Sequence, residues 1–235
     1  MGGEVQAIDE AVAASLIGWW LESGVDVAVG EAPRDWLRRS APAAPPTLAQ
    51  AAPASAAPSN LAEFRQWLAT DGALPMNGAG AIRVSPRGEE AAPVMLLSDI
   101  PAHEDAAEGR PVGGEAWVLA VRMLAAIGIA QEDAYHASLS CFHAPGARIG
   151  KDELEACAAI ARDHIRFARP ERLILFGDAP SRALLGEPMA KARGRIHKVE
   201  GVRTITTFHP RWLLQRPSDK ALAWRDLLLL MSEND

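Results

Sequence analysis

The chain has 235 residues, a net charge of −6 and a mean hydropathy of −0.03. Hydrophobic residues make up 49% and charged residues 23%, which excludes wholesale disorder and allows a sizeable core. No apolar run reaches the roughly 18 residues of a membrane helix, and acids stand where a secretory signal carries Lys or Arg. With only two cysteines, Cys141 and Cys157, a disulfide scaffold is excluded and we expect a cytoplasmic protein.

The charge is unevenly distributed along the chain. Residues 1–160 contain 10 Lys and Arg against 21 Asp and Glu, whereas residues 161–235 contain 14 against 9. The stretch from Arg182 to Arg225 contains 10 basic and three acidic residues. A local field of that sign can face a polyanion such as DNA, although a solvated basic face without a partner is the alternative.

The first 59 residues differ in composition from the rest. Apolar residues at helical spacing predict a helix over residues 5–23, and residues 40–59 are almost entirely Ala, Pro and Ser. Such a stretch predicts a flexible linker, because it buries too little surface to offset its chain entropy. We therefore expect three parts: a helical extension over residues 1–39, the linker over 40–59 and a folded domain over 60–235.

Within this domain, short apolar runs alternate with helical patterns. The predicted strands are residues 93–98, 135–141, 172–177 and 203–208. The predicted helices are residues 115–127, 151–167, 179–185 and 218–231. This alternation favours an α/β fold of three layers, α/β/α, with a central four-stranded parallel sheet. Because ligands bind beyond the carboxyl ends of such strands, we expect the site in four loops. These loops are residues 98–104, 141–148, 177–180 and 209–217.

Two of these loops carry candidate catalytic side chains. Asp99 follows the first predicted strand, and His209 follows the last one. A carboxylate there can hold a water or stabilise developing positive charge, and an imidazole can donate to a ligand oxygen. Either residue alone is also compatible with a structural role, in a turn or in the core. Their placement at two strand ends of one sheet favours a functional pair.

Three segments carry a family resemblance. SDIPAHEDAAEGRPVGG, residues 98–114, is similar to a loop that reads Gly-Glu-Ala-Pro-Gly, then Glu-Asp, then Gly-Arg-Pro-Phe-Val-Gly. TFHPRWLLQRP, residues 207–217, is similar to Thr-x-His-Pro-x-x-Leu-Leu-Arg-x-Pro, and LILFGDAPSRALLG, residues 173–186, lies between them. In this order and spacing, residues 60–230 resemble family 4 of the uracil-DNA glycosylase superfamily, its iron–sulfur branch.

The resemblance implies a monomeric DNA repair enzyme that flips uracil out of DNA and hydrolyses its N-glycosidic bond. It implies that His209 stabilises the uracil anion, while Asp99, at the position of a family Glu, places water or stabilises the cationic sugar. The implied base pocket comprises Ile100, Pro101, Ala102, Val112 and Ser138. The implied DNA contacts are Arg193, Arg195, Lys198, Pro210, Arg211, Leu213 and Arg216. Among these, Leu213 is expected to be the wedge that enters the base stack.

Three pocket positions depart from the family pattern. Asp99 is one methylene shorter than the family Glu, and Val112 replaces a stacking Phe worth roughly 1–3 kcal/mol per base. The uracil-reading Asn falls at Ala137 or Ser138, and Ser138 offers one hydrogen bond where an amide makes two. Two alternatives therefore stay open: a weakened member that binds DNA without efficient excision, and an α/β protein that binds a free nucleobase or nucleotide.

The cysteines also depart from the family pattern. Cys141 and Cys157 have the spacing of the family's second pair of cluster ligands, but the first pair is missing near residues 69–74. A cubane cluster generally needs four thiolates, so we expect no [4Fe–4S] cluster, no metal and no other cofactor. The two cysteines are then buried free thiols. His136 or His143 could replace a ligand, although nothing in their spacing requires it.

Overall fold

The computed structural model describes residues 58–146 and 149–232, together with Ser15 and Trp19. Apart from those two residues, the predicted N-terminal extension lies outside the described residues, and so does most of the predicted linker. The chain divides into two units, Met1–Ser55 and Ala56–Asp235. All elements below belong to the second unit.

A five-stranded sheet forms the centre of this unit. In chain order, the strands of the described residues are β1 (Ile82–Arg83), β2 (Val94–Ser98), β3 (Ala134–Ser138), β4 (Phe142–His143), β5 (Arg172–Phe176), β6 (His197–Val199) and β7 (Val202–Thr207). All except β1 and β4 belong to the five-stranded sheet. The sheet order is β3-β2-β5-β7-β6, in which the first four strands are parallel and β6 is antiparallel to β7. The predicted parallel strands are confirmed, and β6 adds a fifth strand that the sequence did not predict.

The second predicted strand is shorter than expected. It ends at Ser138, after which the N–H of Leu139 donates to the carbonyl of Ser98 at 2.9 Å. The hydroxyl of Ser140 then accepts from the N–H of Phe142 at 3.1 Å. This local side-chain bond turns the backbone out of the sheet and into β4, which pairs with β1. Residues 139–141 therefore form a bend.

Helices cover both faces of the sheet. They are α1 (Leu61–Thr70), α2 (His103–Glu108), α3 (Gly114–Ala126), α4 (Lys151–Ala168), α5 (Asp178–Leu185), α6 (Met189–Ala192), α7 (Pro210–Gln215) and α8 (Lys220–Met231). The last helix starts two residues later than predicted, because Pro217–Asp219 form a 3₁₀ turn. In the part of the chain that is described, no helix is long and apolar enough to cross a bilayer.

Alternating side chains of the strands supply two separate cores. Met95 and Leu97 pack in one apolar cluster with Ile165 of α4. Leu96 belongs to the opposite cluster with Leu124 of α3 and residues of α8. Neighbouring residues of one strand point to opposite faces, so a continuously apolar strand requires cover on both sides. This arrangement confirms the three-layer α/β/α architecture.

The two edges of the sheet are short or covered. The N–H of Arg87 donates to the carbonyl of His136 on β3 at 2.9 Å, and the N–H of His136 donates back at 2.7 Å. At the opposite edge, β6 is three residues long and carries the exposed Lys198. Both features limit the length of strand edge whose N–H and C=O groups lack partners.

Candidate active site

His209 lies where β7 ends and α7 begins. Pro210 fills the first helical position, where a missing N–H removes no helical hydrogen bond. His209 is the N-cap residue, and its Nδ1 accepts from the backbone N–H of Arg211 at 3.0 Å. Since Nδ1 is an acceptor, the neutral ring carries its proton on Nε2. The His-Pro sequence therefore presents Nε2–H as a donor.

The surroundings of His209 keep its ring neutral. Burial lowers the pKa of His209 to about 3, and the positive charge of Arg211 acts in the same direction. The ring of Phe176 packs against it with centroids 5.9 Å apart. At neutral pH the residue is an uncharged hydrogen-bond donor.

Asp99 lies beside this donor at the end of β2. Its Oδ1 is 3.8 Å from Nε2 of His209, and both atoms are buried without a hydrogen-bond partner. Burial raises the pKa of Asp99 to about 6, because the cost of desolvating the carboxylate outweighs the attraction of Arg211. Buried polar atoms without a partner are uncommon and costly, so this pair is available to a ligand.

Gly177 brings a third strand end close to the pair. Its φ of +96° lies in the region that favours glycine. A Cβ at this position would lie 3.8 Å from Cβ of His209 and 3.9 Å from Oδ2 of Asp99. The turn between β5 and α5 thus closes one side of the site with backbone.

A cavity of about 360 Å³ opens next to the pair. Its wall consists of Asp99, Gly177, Asp178, Met189, Phe208, His209, Arg211, Trp212 and Gln215. Three of the four predicted loops contribute residues to this wall. The described part of the fourth loop, at residues 141–148, contributes none. The volume is within the roughly 300–1,000 Å³ of small-ligand sites.

Asp105 is a central residue of the site that the sequence did not reveal. This buried carboxylate accepts from the N–H of Ala102 at 2.7 Å and from that of Gly113 at 2.6 Å. It also pairs with the guanidinium of Arg211. Arg211, predicted to contact phosphate, therefore has its charge engaged within the protein. The signal in the sequence was the acid three residues into α2, which suits a helix start.

The predicted base pocket lies apart from the cavity wall. Val112 is fully buried in the core under α3, and Pro101 is buried as well. The hydroxyl of Ser138 is buried without a partner. Ile100 and Ala102 are partly buried in the loop that follows Asp99. Asp99, His209 and Arg211 thus share the wall of the cavity, which none of these five residues lines.

The predicted DNA contacts fall into different environments. Arg193 is bonded to the buried Asp226 at 2.8 Å, and Arg195 pairs with Glu187. The exposed residues of the predicted set include Lys198 and Arg216.

Leu213, the predicted wedge, is buried in this structure. It is 1% exposed, because it lies on the inner face of α7. Its neighbours Trp212 and Leu214 are the exposed apolar residues of this helix, at 41% and 36%.

The residues around the cysteines do not fit a four-iron cluster. Leu68 precedes the segment where the missing ligands would lie and Leu74 ends it, and both are buried in an apolar cluster with Phe64. The cavity that Cys141 and Cys157 line has a volume of about 20 Å³. Burial also raises the pKa of Cys157 to about 11.

Comparisons with known proteins show the family of the chain. Residues 85–228, more than half of the chain, match the uracil DNA glycosylase superfamily. A type-4 uracil-DNA glycosylase of Pyrobaculum aerophilum is 25% identical over 153 residues, which cover 60% of this chain and 78% of the relative. That of Thermotoga maritima is 29% identical over 132 residues, which cover 54% and 69%. The chain is therefore a member of the uracil-DNA glycosylase superfamily, similar to its type-4 branch.

Proposed function

We propose that this protein excises uracil from DNA by hydrolysing the bond between N1 of the base and C1′ of the deoxyribose. The observation that carries the proposal is the unpartnered pair of Asp99 and His209 beyond the carboxyl ends of β2 and β7. The family match and the relatives support the same reaction. DNA is the proposed macromolecular substrate, and we propose that the enzyme acts as a monomer.

His209 stabilises the leaving group in this proposal. When the C1′–N1 bond breaks, its electron pair stays on uracil, and negative charge develops on the ring oxygens. The Nε2–H of a neutral imidazole donates to that charge without losing its proton. The bond from Arg211 to Nδ1 supports this role because it fixes the tautomer before substrate arrives.

Asp99 serves the sugar side of the reaction. Its carboxylate stabilises the oxocarbenium-like sugar and orients a water toward C1′. The water oxygen bonds to C1′ and its proton passes to Asp99 and then to the uracil anion. The products are free uracil and an abasic site.

The proposed reaction needs no cluster. The apolar packing of Leu68 and Leu74 supports a protein that folds without iron. Iron analysis of the purified full-length protein checks this: we expect less than one iron per chain, whereas four irons per chain would contradict it.

The activity is tested with a single-stranded oligonucleotide that contains one uracil. Alkali cleaves the strand wherever the base has been removed. We expect His209→Ala to lower the single-turnover rate about 100- to 1,000-fold, the cost of losing one donor to a developing anion. His103→Ala is the matched control, since His103 is exposed on α2 and outside the cavity wall.

Two results would contradict the proposal. Absence of cleavage at stoichiometric wild-type protein would leave DNA binding without excision, or binding of a free nucleobase. An unchanged rate in His209→Ala would remove the role assigned to the imidazole. A strand with thymine in place of uracil serves as the negative substrate.

A further inference from the structure

A groove separates α3 from α8 on the face of the sheet opposite to α4. Its volume is about 160 Å³, and each of the two helices lines it with residues at positions i, i+3, i+4 and i+7. These residues are Leu119, Arg122, Met123 and Ala126 of α3, and Lys220, Ala223, Trp224 and Leu227 of α8. Leu213 of α7 completes the lining. Residues at this spacing share one face of a helix, so the groove lies between two helix faces.

An exposed apolar stripe continues from the groove along α8. Trp224 is 40% exposed, and Leu228 and Met231 follow it at i+4 and i+7, both of them exposed as well. On α3, Val118 is an exposed apolar residue four positions before Arg122. Single apolar residues on a surface need no explanation, but a stripe beside a groove is typical of an interaction site.

Two cations belong to the lining of the groove, which contains no acid among the described residues. Arg122 and Lys220 are both exposed, and within the described part of the chain neither has an ion pair or a hydrogen bond from its side chain. Lys220 is the first residue of α8, where the helix dipole disfavours a cation, so its charge does not stabilise this helix. The preceding acid, Asp219, accepts from the indole N–H of Trp212 at 2.9 Å. Both cations are therefore available to anionic groups of a partner.

The dimensions and polarity of the groove favour a helix as its occupant. The lining residues span two turns on each wall, a length of about 10 Å. A groove of this kind accepts the apolar side chains that a third helix presents at i, i+3 or i+4, and i+7. Seven of the nine lining residues are apolar, whereas a surface that binds nucleic acid depends on a larger set of cations.

We propose that the groove between α3 and α8 binds an amphipathic helix of a partner protein, with apolar residues on one face and Asp or Glu beside them. The apolar face of the partner fills the groove between Met123 and Trp224, and its carboxylates pair with Arg122 and Lys220. Burial of the apolar side chains provides affinity, and the ion pairs fix the direction of the bound helix. No residue lines both this groove and the cavity beside the catalytic pair, so the inference goes beyond the proposed function.

Fluorescence anisotropy of a labelled peptide tests this binding with the full-length protein. The probe is a fluorescein-labelled helical peptide of about 16 residues, with Leu repeated at i, i+3, i+4 and i+7 and Glu on both sides of that face. One control peptide carries Lys in place of Glu, and a second has the same composition in scrambled order. We expect the Glu peptide to bind, and both control peptides to bind at least about 10-fold more weakly.

Two apolar variants test the wall of the groove. Trp224→Ala should weaken binding of the Glu peptide roughly 10-fold or more, because it removes the largest side chain of the lining. Leu228→Ser, at an exposed position of the same stripe, should weaken it in the same direction and is used as well in case Trp224→Ala unfolds. Ile82→Ala is the matched control, because Ile82 is an exposed apolar residue on β1 and outside the groove. Circular dichroism of each variant checks its fold.

Charge reversal tests the two cations. The double variant Arg122→Glu, Lys220→Glu should bind the Glu peptide roughly 5- to 20-fold more weakly, and it should gain affinity for the Lys peptide. The double variant Lys191→Glu, Lys198→Glu changes the net charge of the protein by the same amount at exposed positions outside the groove. It should leave the affinity for both peptides within about twofold of the wild type.

Several results would overturn the inference, whether or not uracil is excised. One is that the Glu peptide does not bind at about 100 µM wild-type protein, and another is that folded Trp224 and charge-reversal variants bind it as the wild type does. If the charge-reversal variant loses affinity for a uracil-free single strand but not for the peptide, the groove belongs to a DNA surface. If the wild type sediments as a dimer and Trp224→Ala as a monomer, the occupant is a second copy of the chain.

Discussion

The surroundings of Asp99 and His209 move their pKa values in opposite directions. Burial raises the pKa of the carboxyl to about 6 and lowers that of the imidazole to about 3. At neutral pH the carboxyl of Asp99 is therefore charged and the imidazole of His209 is neutral. An ion pair would shift both pKa values the other way and leave both groups charged. This distribution of charge suits a reaction in which the deoxyribose becomes cationic and the uracil becomes anionic.

A pH profile follows from these two values. We expect kcat/KM to rise with pH through about 6 and to reach a plateau above it, because only the ionised Asp99 assists. His209 does not change charge over that range, so it adds no second limb.

Steady-state excision between pH 5 and 9 measures this profile. Asp99→Asn should lose most activity and also the rise of the remaining activity with pH. Asp99→Glu should still show a rise with pH, because it keeps a carboxyl group. A rate that falls as pH rises through 6 would instead indicate a protonated imidazole.

Sequence reasoning reached Asp99 and His209 because both stand directly at strand ends. It missed Asp105, whose partners Gly113 and Arg211 are distant along the chain. The family resemblance also implied that Arg211 contacts DNA, and the spacing of residues does not show that its side chain pairs with Asp105. Such pairings depend on tertiary packing, which residue spacing does not contain.

Among the elements, α2 and α7 are joined by the bond between Asp105 and Arg211. The backbone of Arg211 orients His209, while its side chain is held by a carboxylate that also fixes the loop after β2. Two loops that carry the catalytic pair thus share one buried anchor.

We expect Asp105→Asn to destabilise the protein by about 3 kcal/mol, because it leaves a guanidinium without its buried partner. Urea unfolding monitored by tryptophan fluorescence gives this free energy. Excision should fall as well, since Asn has one acceptor oxygen where the carboxylate has two, and either Ala102 or Gly113 then lacks an acceptor for its N–H. Glu104→Gln, on the exposed side of the same helix, is the control and should change stability by less than about 0.5 kcal/mol.

Long elements were predictable and short ones were not. The four parallel strands and α4 were predicted from apolar runs and helical periodicity. By contrast, β6 is three residues long with two polar side chains, and α7 has six residues that begin at a proline. The cavity wall is built largely from such short pieces, which is why the sequence did not reveal Met189 or Trp212 as part of it.

For the molecule as a whole, buried histidines determine the response to acid. Burial lowers the pKa of His136 to about 4 and that of His164 to about 3, as it does for His209. The hydroxyl of Tyr135 and Nε2 of His164 are hydrogen-bonded at 2.6 Å. Because this hydroxyl already accepts from Nε of Arg65 at 3.2 Å, its own proton is free to point to Nε2, and a neutral imidazole fits the core. Below pH 6.5 the unfolded chain binds protons that the folded chain does not.

The free energy of unfolding should therefore fall as pH decreases from about 6.5. Each fully buried histidine contributes about 1–2 kcal/mol to the loss between pH 6.5 and 5. The pKa of Asp99 is raised to about 6, so between that pH and its ordinary pKa the protonation of Asp99 stabilises the folded state as the pH falls. This single carboxyl opposes the effect of three histidines.

Urea midpoints at pH 7, 6 and 5 measure this dependence. His164→Gln keeps an acceptor for Tyr135 without titrating, and it should flatten the slope. His103→Ala should leave the slope unchanged. Equal midpoints at all three pH values would contradict the assignment.

The covered edges of the sheet also bear on how copies of the protein meet one another. A free parallel edge would offer a ladder of N–H and C=O groups on which a second chain could add a strand. Here the backbone of Arg87 already bonds to His136 along β3, and β6 ends after three residues with Lys198 facing solvent. In the described part of the chain, neither edge offers a long template for intermolecular pairing. Two copies of the described part can therefore approach each other without a long free strand edge between them.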